Sequence, residues 1–246
     1  MVLVARTLAG AAAGAAALHA SPAVGTVSGH ARRALGIRGS VEGERGVALT
    51  FDDGPHLEGT LAVLEHLAAA GALATFFLVG EQVARRPALA AEIAAAGHVI
   101  ALHGHTHRSH LRLRPREVAV DLERGAAVLA EATGRKPHLH RPPYGHYSVA
   151  SLRLVRRAGL EPVLWSRHGR DWSRRATPAS IAARLGRGVE TGEVLLLHDA
   201  DHYAAPGSWA RTAAALPQLL ELLAETGLEP MALPAAKCRA APRAAE

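Results

Sequence analysis

The stretch "LTFDDGPH", residues 49–56, sets two adjacent carboxylates, Asp52 and Asp53, at the end of an apolar run. Val47–Phe51 reads as a strand, and Gly54 and Pro55 stop it, because glycine is loosely held and proline offers no N–H to a ladder. Two like charges side by side repel each other, and a strand end gains no stability from the pair. A cation facing one carboxylate relieves the repulsion and leaves the other free to accept a proton. The tetrapeptide Asp-Asp-Gly-Pro alone reads equally as an ordinary turn. What the rest of the chain brings to the same place decides between the two.

Outward from this strand, further apolar runs of strand length follow: Leu73–Val79, Val99–His103, Pro137–Arg141, Glu161–Trp165, Val194–His198 and Leu228–Leu233. Between them, apolar residues recur three and four apart, as one helix face requires. Leu61, Leu64 and Leu67 form one such set, and Val118, Leu122 and Leu129 another. Leu152 with Val155, and Leu219 with Leu222 and Leu223, mark two more. "AAGAL", "AAGHV", "RAGLE" and "ETGLE" each put a glycine where the end of a helix wants a left-handed residue. The β-α rhythm predicts an α/β fold of about seven parallel strands, closed or nearly closed into a barrel, in a single domain. That domain spans residues 46–234. An N-terminal arm or signal segment with a Gly/Arg-rich connector (1–45) precedes it, and a tail (235–246) follows.

Composition bounds the possibilities. A chain of 246 residues with 49% apolar and 20% charged side chains can bury a sizeable core, which excludes a disordered protein. Aromatics make up only 4%, so Leu, Val, Ile and Ala must build that core. The formal charge of +6 comes mostly from arginines spread along the helical stretches, with no basic stripe or recognition motif, so no nucleic-acid partner is expected. The one cysteine, Cys238, excludes a disulfide framework within the chain. The N-terminal "MVLVARTLAGAAAGAAALHASPA" reads equally as an export signal and as an alanine-biased helix or arm, so export and a cytoplasmic location stand level. It is too weakly hydrophobic for a membrane span.

In parallel α/β architectures the chemistry sits at the C-terminal strand ends, and the unusual polar residues fall there repeatedly. Asp52 and Asp53 close the first strand, and His103 and His107 follow the third in "IALHGHTHRSH". Arg141 closes the fourth, Asp171 and Trp172 come after the fifth, and His198 and Asp199 close the sixth. His103 and His107, four apart, can reach one ion, and with Asp53 they make a two-His-one-Asp set with positions left open, the mark of a catalytic ion. With four histidines in the segment (His103, His105, His107, His110), a surface tract that binds metal adventitiously is the competing reading. Asp52 then remains as the base. His198 suits a proton donor to a leaving amine, with Asp171 holding its other ring nitrogen and Arg141 keeping Asp52 charged. Taken singly, a buried histidine, a helix cap and a surface ion pair explain these three as well.

At these residues the chain resembles the polysaccharide deacetylases of carbohydrate esterase family 4, which share the NodB homology domain. The likeness runs from about Val47 to the region of Leu233, with the motifs in family order. "TFDDGP" (50–55) matches the first motif letter for letter, and "GHVIALHGHTH" lines up with the histidine segment. "RPPYG", "RDW" and "LLH" (196–198) match the third, fourth and fifth. The resemblance implies a distorted (β/α) barrel, a base at Asp52 and metal ligands at Asp53, His103 and His107. It also implies Arg141 as orienter of the base, Asp171 as tuner of the acid and His198 as that acid. For the substrate it implies the Tyr144 backbone N–H beside Pro143 as oxyanion donor, Trp172 as groove wall and Leu196 as apolar wall. The chain departs from the pattern at Gly104, where a Ser or Thr is common, and at His168, where Asp is frequent. "HDADHYAAPGSW" after the sixth strand has no assigned role, and Asp201 and His202 read best as caps of a loop.

The expected activity is metal-dependent hydrolysis of the N-acetyl amide of an N-acetylated sugar or polysaccharide, with one divalent ion, Zn²⁺ before Co²⁺ or another. An O-acetyl ester or a small-molecule amide would suit the same machinery. A catalytically silent carbohydrate-binding module is the rival from another class, and retention of every ligand, base and acid argues against it. The connection between His198 and a helix expected near Thr212 is where discriminating contacts are expected.

Overall fold

The computed structural model describes residues 13–41 and 45–234. The first half of the possible signal segment, Cys238 and the C-terminal tail lie outside the described residues. The chain is helical over residues 13–20 (α1), makes a 3-10 turn at Ser21–Thr26, and continues as α2 (Gly29–Ala34). Strands and helices then alternate. β1 (Gly46–Asp52) leads to α3 (Leu57–Ala69), and β2 (Thr75–Leu78) to α4 (Gly80–Arg85) and α5 (Pro87–Ala95). β3 (Val99–Leu102) leads to α6 (Pro115–Thr133), and β4 (Leu139–His140) to α7 (Val149–Arg157). β5 (Glu161–Pro162) and β6 (Arg167–His168) precede α8 (Pro178–Gly186), and β7 (Val194–His198) leads to α9 (Ser208–Glu225) and β8 (Glu229–Met231).

The strands pair in the order β5-β4-β3-β2-β1-β7-β6, all parallel, and the sheet curls into a distorted half-barrel. β1 lies inside the sheet, with β7 along one edge. On its other edge β8 pairs with the first half (Gly46–Ala48) and β2 with the second (Thr50–Asp52). The gap between the outer strands is narrowed by residues 38–41: Arg38 bridges Val163, and the Val41 N–H donates to the Gly192 carbonyl at 2.8 Å. Part of the expected connector is thus built into the barrel wall. The fifth strand is shorter than the sequence suggests; just beyond it, Val163 bridges Arg38 while its N–H donates to the His140 carbonyl at 2.9 Å. The chain then crosses to the far edge and forms β6, a strand too short and polar to stand out in the sequence.

Both faces of this sheet are covered, which is why the strands read as continuous apolar runs. Alternation along each strand still sorts the side chains. Val47, Leu49 and Phe51 face the helices, as do Phe76, Ile100, Leu195 and Leu197. Ala48, Phe77, Ala101, Leu139 and Val194 face the barrel interior, where Val41, Val163 and Leu233 plug its lower end. Continuing upward by twos, the interior column passes through Thr50 and Leu196 and ends at Asp52, His103, Arg141 and His198. The register sets Asp52 level with His198 and Leu102 level with His140, so these ends share one rim.

The helix expectations hold with one exchange. Val63, Leu64 and Leu67 carry the buried face of α3, while Leu61 is 39% exposed. Gly71, Gly97, Gly159 and Gly227 all take positive φ, as their positions after helices require. α9 begins at Ser208 rather than near Thr212, so the segment 199–207 is tighter than expected. No helix among the described residues is long and apolar enough to cross a membrane.

Candidate active site

On the inner side of the rim, Arg141 has no exposed surface. It donates through one terminal nitrogen to Asp52 Oδ1 at 2.6 Å and to Thr50 Oγ1 at 2.9 Å. The Thr50 hydroxyl in turn donates a hydrogen bond to the Leu195 carbonyl at 2.6 Å. The guanidinium lies 4.0 Å from the Phe77 ring centroid and 5.6 Å from that of Trp165, contacts a cation makes favourably with a π face. Burial pulls the Arg141 pKa down and Asp52 opposes it. A buried pair of this kind leaves a costly lone charge if either partner goes.

Asp53 takes φ 78°, a left-handed conformation that a non-glycine residue holds only when its surroundings insist. That backbone turn aims Asp53 Oδ1 to 3.4 Å from His103 Nε2 and 3.2 Å from His107 Nε2. His103 Nδ1 lies 2.9 Å from the Arg141 carbonyl, which can only accept, so Nδ1 carries the proton and Nε2 the lone pair. One ligand atom from each of Asp53, His103 and His107 lies within 4.8 Å of the other two. Asp53 Oδ1 is buried with no hydrogen-bond partner among the described residues. Acceptors converging without a donor fit a divalent cation, and one oxygen with two nitrogens is a zinc-type set.

The loop carrying the histidines is fixed from behind by Asp121 of α6. Its carboxylate accepts from the His105 N–H at 2.8 Å, the Thr106 N–H at 3.0 Å and the Thr106 hydroxyl at 2.5 Å. Gly104 is explained by the same clamp: φ is +84°, and a Cβ there would stand 2.8 Å from Asp121 Oδ2. Asp121 escaped the sequence reading, although it sits between Val118 and Leu122 on the buried helix face, where a carboxylate needs a reason.

Across the rim, His198 Nδ1 meets Asp171 Oδ1 at 3.0 Å, and the His198 backbone N–H donates to Asp171 Oδ2 at 2.7 Å. The Thr212 hydroxyl donates to that same oxygen at 2.9 Å. Burial favours neutral imidazole, yet Asp171, then Asp53 and Asp52, push the His198 pKa up to about 10. Asp199, next in sequence, faces away from this pair and accepts from the Thr60 hydroxyl. Burial raises its carboxyl to about 7 against that hydrogen bond.

The side chains enclose a cavity of about 640 Å³. Asp52, Asp53, His103, His107 and His198 line it, with Tyr144, Trp165, Trp172, Tyr203 and Leu196 as walls. Tyr144 is 55% exposed and takes φ 63°. Trp172 packs edge-on against His198 and near His168, with centroids at 5.4 and 5.2 Å. Arg141 and Asp171 act from behind the walls. Pro143 is buried and does not line the cavity; its ring lies near Gly104. Asp201 accepts from the Gly207 N–H at 2.7 Å, closing the 199–207 loop as a cap. Thr50, Asp121, Thr212 and Tyr203 are the supporting residues that motif reading missed.

Fold and site together define an α/β barrel with an Asp/His/His group at its C-terminal rim that could hold a metal ion. The chain belongs to the polysaccharide deacetylase family, whose model matches residues 40–163. It is 37% identical over 162 residues to a chitooligosaccharide deacetylase of Bradyrhizobium sp. (strain ANU 289), covering 65% of this chain and 74% of that protein. Among solved structures, the Bc1960 peptidoglycan N-acetylglucosamine deacetylase matches with a TM-score of 0.75 at 28% identity, over 81% of this chain and 91% of its own. A family 4 carbohydrate esterase from Streptomyces lividans, in complex with acetate, matches with a TM-score of 0.68 at 32% identity, over 76% and 92%.

Proposed function

We propose that this chain is a metal-dependent deacetylase that hydrolyses the N-acetyl amide of an N-acetylated sugar or glycan, releasing acetate and a free amino sugar. The observation that carries this reading is the meeting of three units on one cavity: the Asp53/His103/His107 set, the Asp52–Arg141 pair and the His198–Asp171 pair. The similarity to chitooligosaccharide and peptidoglycan N-acetylglucosamine deacetylases supports the substrate class.

Asp53, His103 and His107 would hold one divalent ion, Zn²⁺ by the chemistry of the donors. Such an ion supplies Lewis acidity toward a carbonyl oxygen and a lower pKa for water. Asp52 accepts the proton of the attacking water, and Arg141 holds its carboxylate oriented. His198, kept cationic by Asp171, delivers a proton from Nε2 to the departing amine, since a neutral amine leaves far more readily than an amide anion. The Tyr144 backbone N–H serves the tetrahedral oxyanion, and Trp172 and Leu196 hold the acetylated sugar.

The test is acetate release from N-acetylglucosamine oligomers, after stripping with a chelator and again after adding Zn²⁺ or Co²⁺. Activity that vanishes and returns with metal is expected. Protein that binds one ion yet releases no acetate with any metal would shift the reading to an O-acetyl ester or small-molecule amide. Protein that binds no ion would overturn the metal-dependent reading.

A further inference from the structure

The two histidines of the cation group are supported in different ways. His103 donates Nδ1–H to the Arg141 carbonyl, which fixes its tautomer and ring plane. His107 Nδ1 is buried and has no hydrogen-bond partner among the described residues. A metal-ligating imidazole ordinarily leans on an outer hydrogen bond, whose loss costs about 10–100-fold in metal affinity or activity. Something else must orient His107.

The candidate is Tyr203, in the 199–207 loop to which the family motifs assign nothing. Its ring lies flat on His107, with centroids 4.0 Å apart and planes within 8°. Tyr144 closes on the same imidazole from its edge, at 4.7 Å and 62°. Tyr203 is itself anchored. Its hydroxyl accepts from Gln82 Nε2 at 3.1 Å, and Gln82 is a buried residue of α4. The start of α4 is tied to the histidine loop, because the Gly80 N–H donates to the Gly104 carbonyl at 3.0 Å and the Glu81 N–H to the His105 carbonyl at 2.9 Å. The Tyr203 backbone is held by the Asp201 cap at Gly207 and by the Ala205 N–H, which donates to the Trp172 carbonyl at 3.2 Å. A closed circuit therefore runs from the histidine loop through α4 and Gln82 to Tyr203, and through its ring back to His107.

We propose that Tyr203 is a positioning residue for the cation-binding group: its stacked ring sets the plane of His107, replacing the outer hydrogen bond that Nδ1 lacks among the described residues. The proposal rests on the reading of His107 as a metal ligand. It assigns the β7–α9 loop a part in building the centre, beyond walling the cavity. An aromatic face suffices for the stacking, and the hydroxyl serves to aim that face.

The experiment titrates Zn²⁺ and Co²⁺ into the metal-stripped full chain of wild type, Tyr203→Phe and Tyr203→Leu. Leucine fills much of the volume without a π face. Tyr203→Leu is expected to bind Zn²⁺ about 10–100-fold more weakly, with an altered Co²⁺ absorption spectrum, while Tyr203→Phe stays within about threefold of wild type. In the metal-free protein, the ring protons of His107 should lose their upfield ring-current shift in Tyr203→Leu and keep it in Tyr203→Phe. If wild type binds and Tyr203→Leu binds equally well with the same spectrum, the proposal is overturned. A raised KM with unchanged metal affinity would make Tyr203 a wall and overturn it too. A wild-type chain that binds neither ion removes the metal reading on which the proposal stands.

Discussion

The cavity has two walls made by different means. The inner wall, Asp52 and His103 backed by Thr50 and Arg141, continues the interior column of β1, β3 and β4 and is buried. Hydrogen bonds hold it: Arg141 grips Asp52 and Thr50, and its carbonyl grips His103. The outer wall, His107, Tyr144 and Tyr203, rides on loops, and ring contacts hold it. Burying a charge without a partner is costly, and each of these four side chains has a hydrogen-bond partner, although Arg141 Nε and Nη2 have none among the described residues. The outer wall must admit a ligand, so its rings stay partly exposed and adapt through stacking, which is softer and less directional.

This contrast can be broken from the inner side first. Arg141→Leu should cost about 3–5 kcal/mol in urea unfolding at neutral pH, because Asp52 is left as a lone buried charge. It should also abolish acetate release; a loss below about 1 kcal/mol would mean that the pair does not carry the inner wall. Asp52→Asn keeps the shape and removes the proposed base, so kcat should fall about 10²–10⁴-fold while Zn²⁺ titration stays unchanged. Asp121→Ala takes three hydrogen bonds from the histidine loop. A loss of about 1–3 kcal/mol is expected, with metal affinity about tenfold weaker by calorimetric titration.

His198 sharpens the comparison through pH. Its pKa is raised from 6.5 to about 10 in the folded chain, so its contribution to stability is whole below pH 6.5 and is lost as pH rises through about 10. In the metal-free protein, the melting temperature should decline across that window, and Asp171→Asn should flatten the decline. An unchanged profile in Asp171→Asn would separate the two residues. The smallest effect belongs to the outer wall. Tyr144→Ala should move stability by no more than about 0.5 kcal/mol, and raise KM about three- to tenfold through the lost aromatic contact.

Much of this was legible in the chain. The rhythm of apolar runs and helical spacings located the strands of the barrel, because a strand buried on both faces must be continuously apolar. Polar residues at strand ends marked the rim, since a parallel barrel gathers its strand ends in one place. Leu61 and β6 were less legible. Leu61 has helical spacing but lies at the border of its face, and β6 is two residues, Arg167 and His168, made a strand only by pairing with β7. The ion-pair partners could be anticipated because the chemistry demands them. Their supports could not, because Thr50, Thr212 and Tyr203 are ordinary residues whose meaning comes from neighbours far along the chain.

The sequence by itself determined the architecture, the family motifs and which charged and imidazole groups stand at the strand ends, since periodicity and residue chemistry are local properties. Only the tertiary structure decided how those groups are held. It set Asp121 behind the histidine loop, left His107 Nδ1 without a hydrogen-bond partner among the described residues, laid Tyr203 on its face and buried Pro143 away from the cavity. Those facts depend on strand register and on the approach of α4, α6 and the 199–207 loop. Distances between segments remote in sequence are fixed by packing, and no local pattern encodes them.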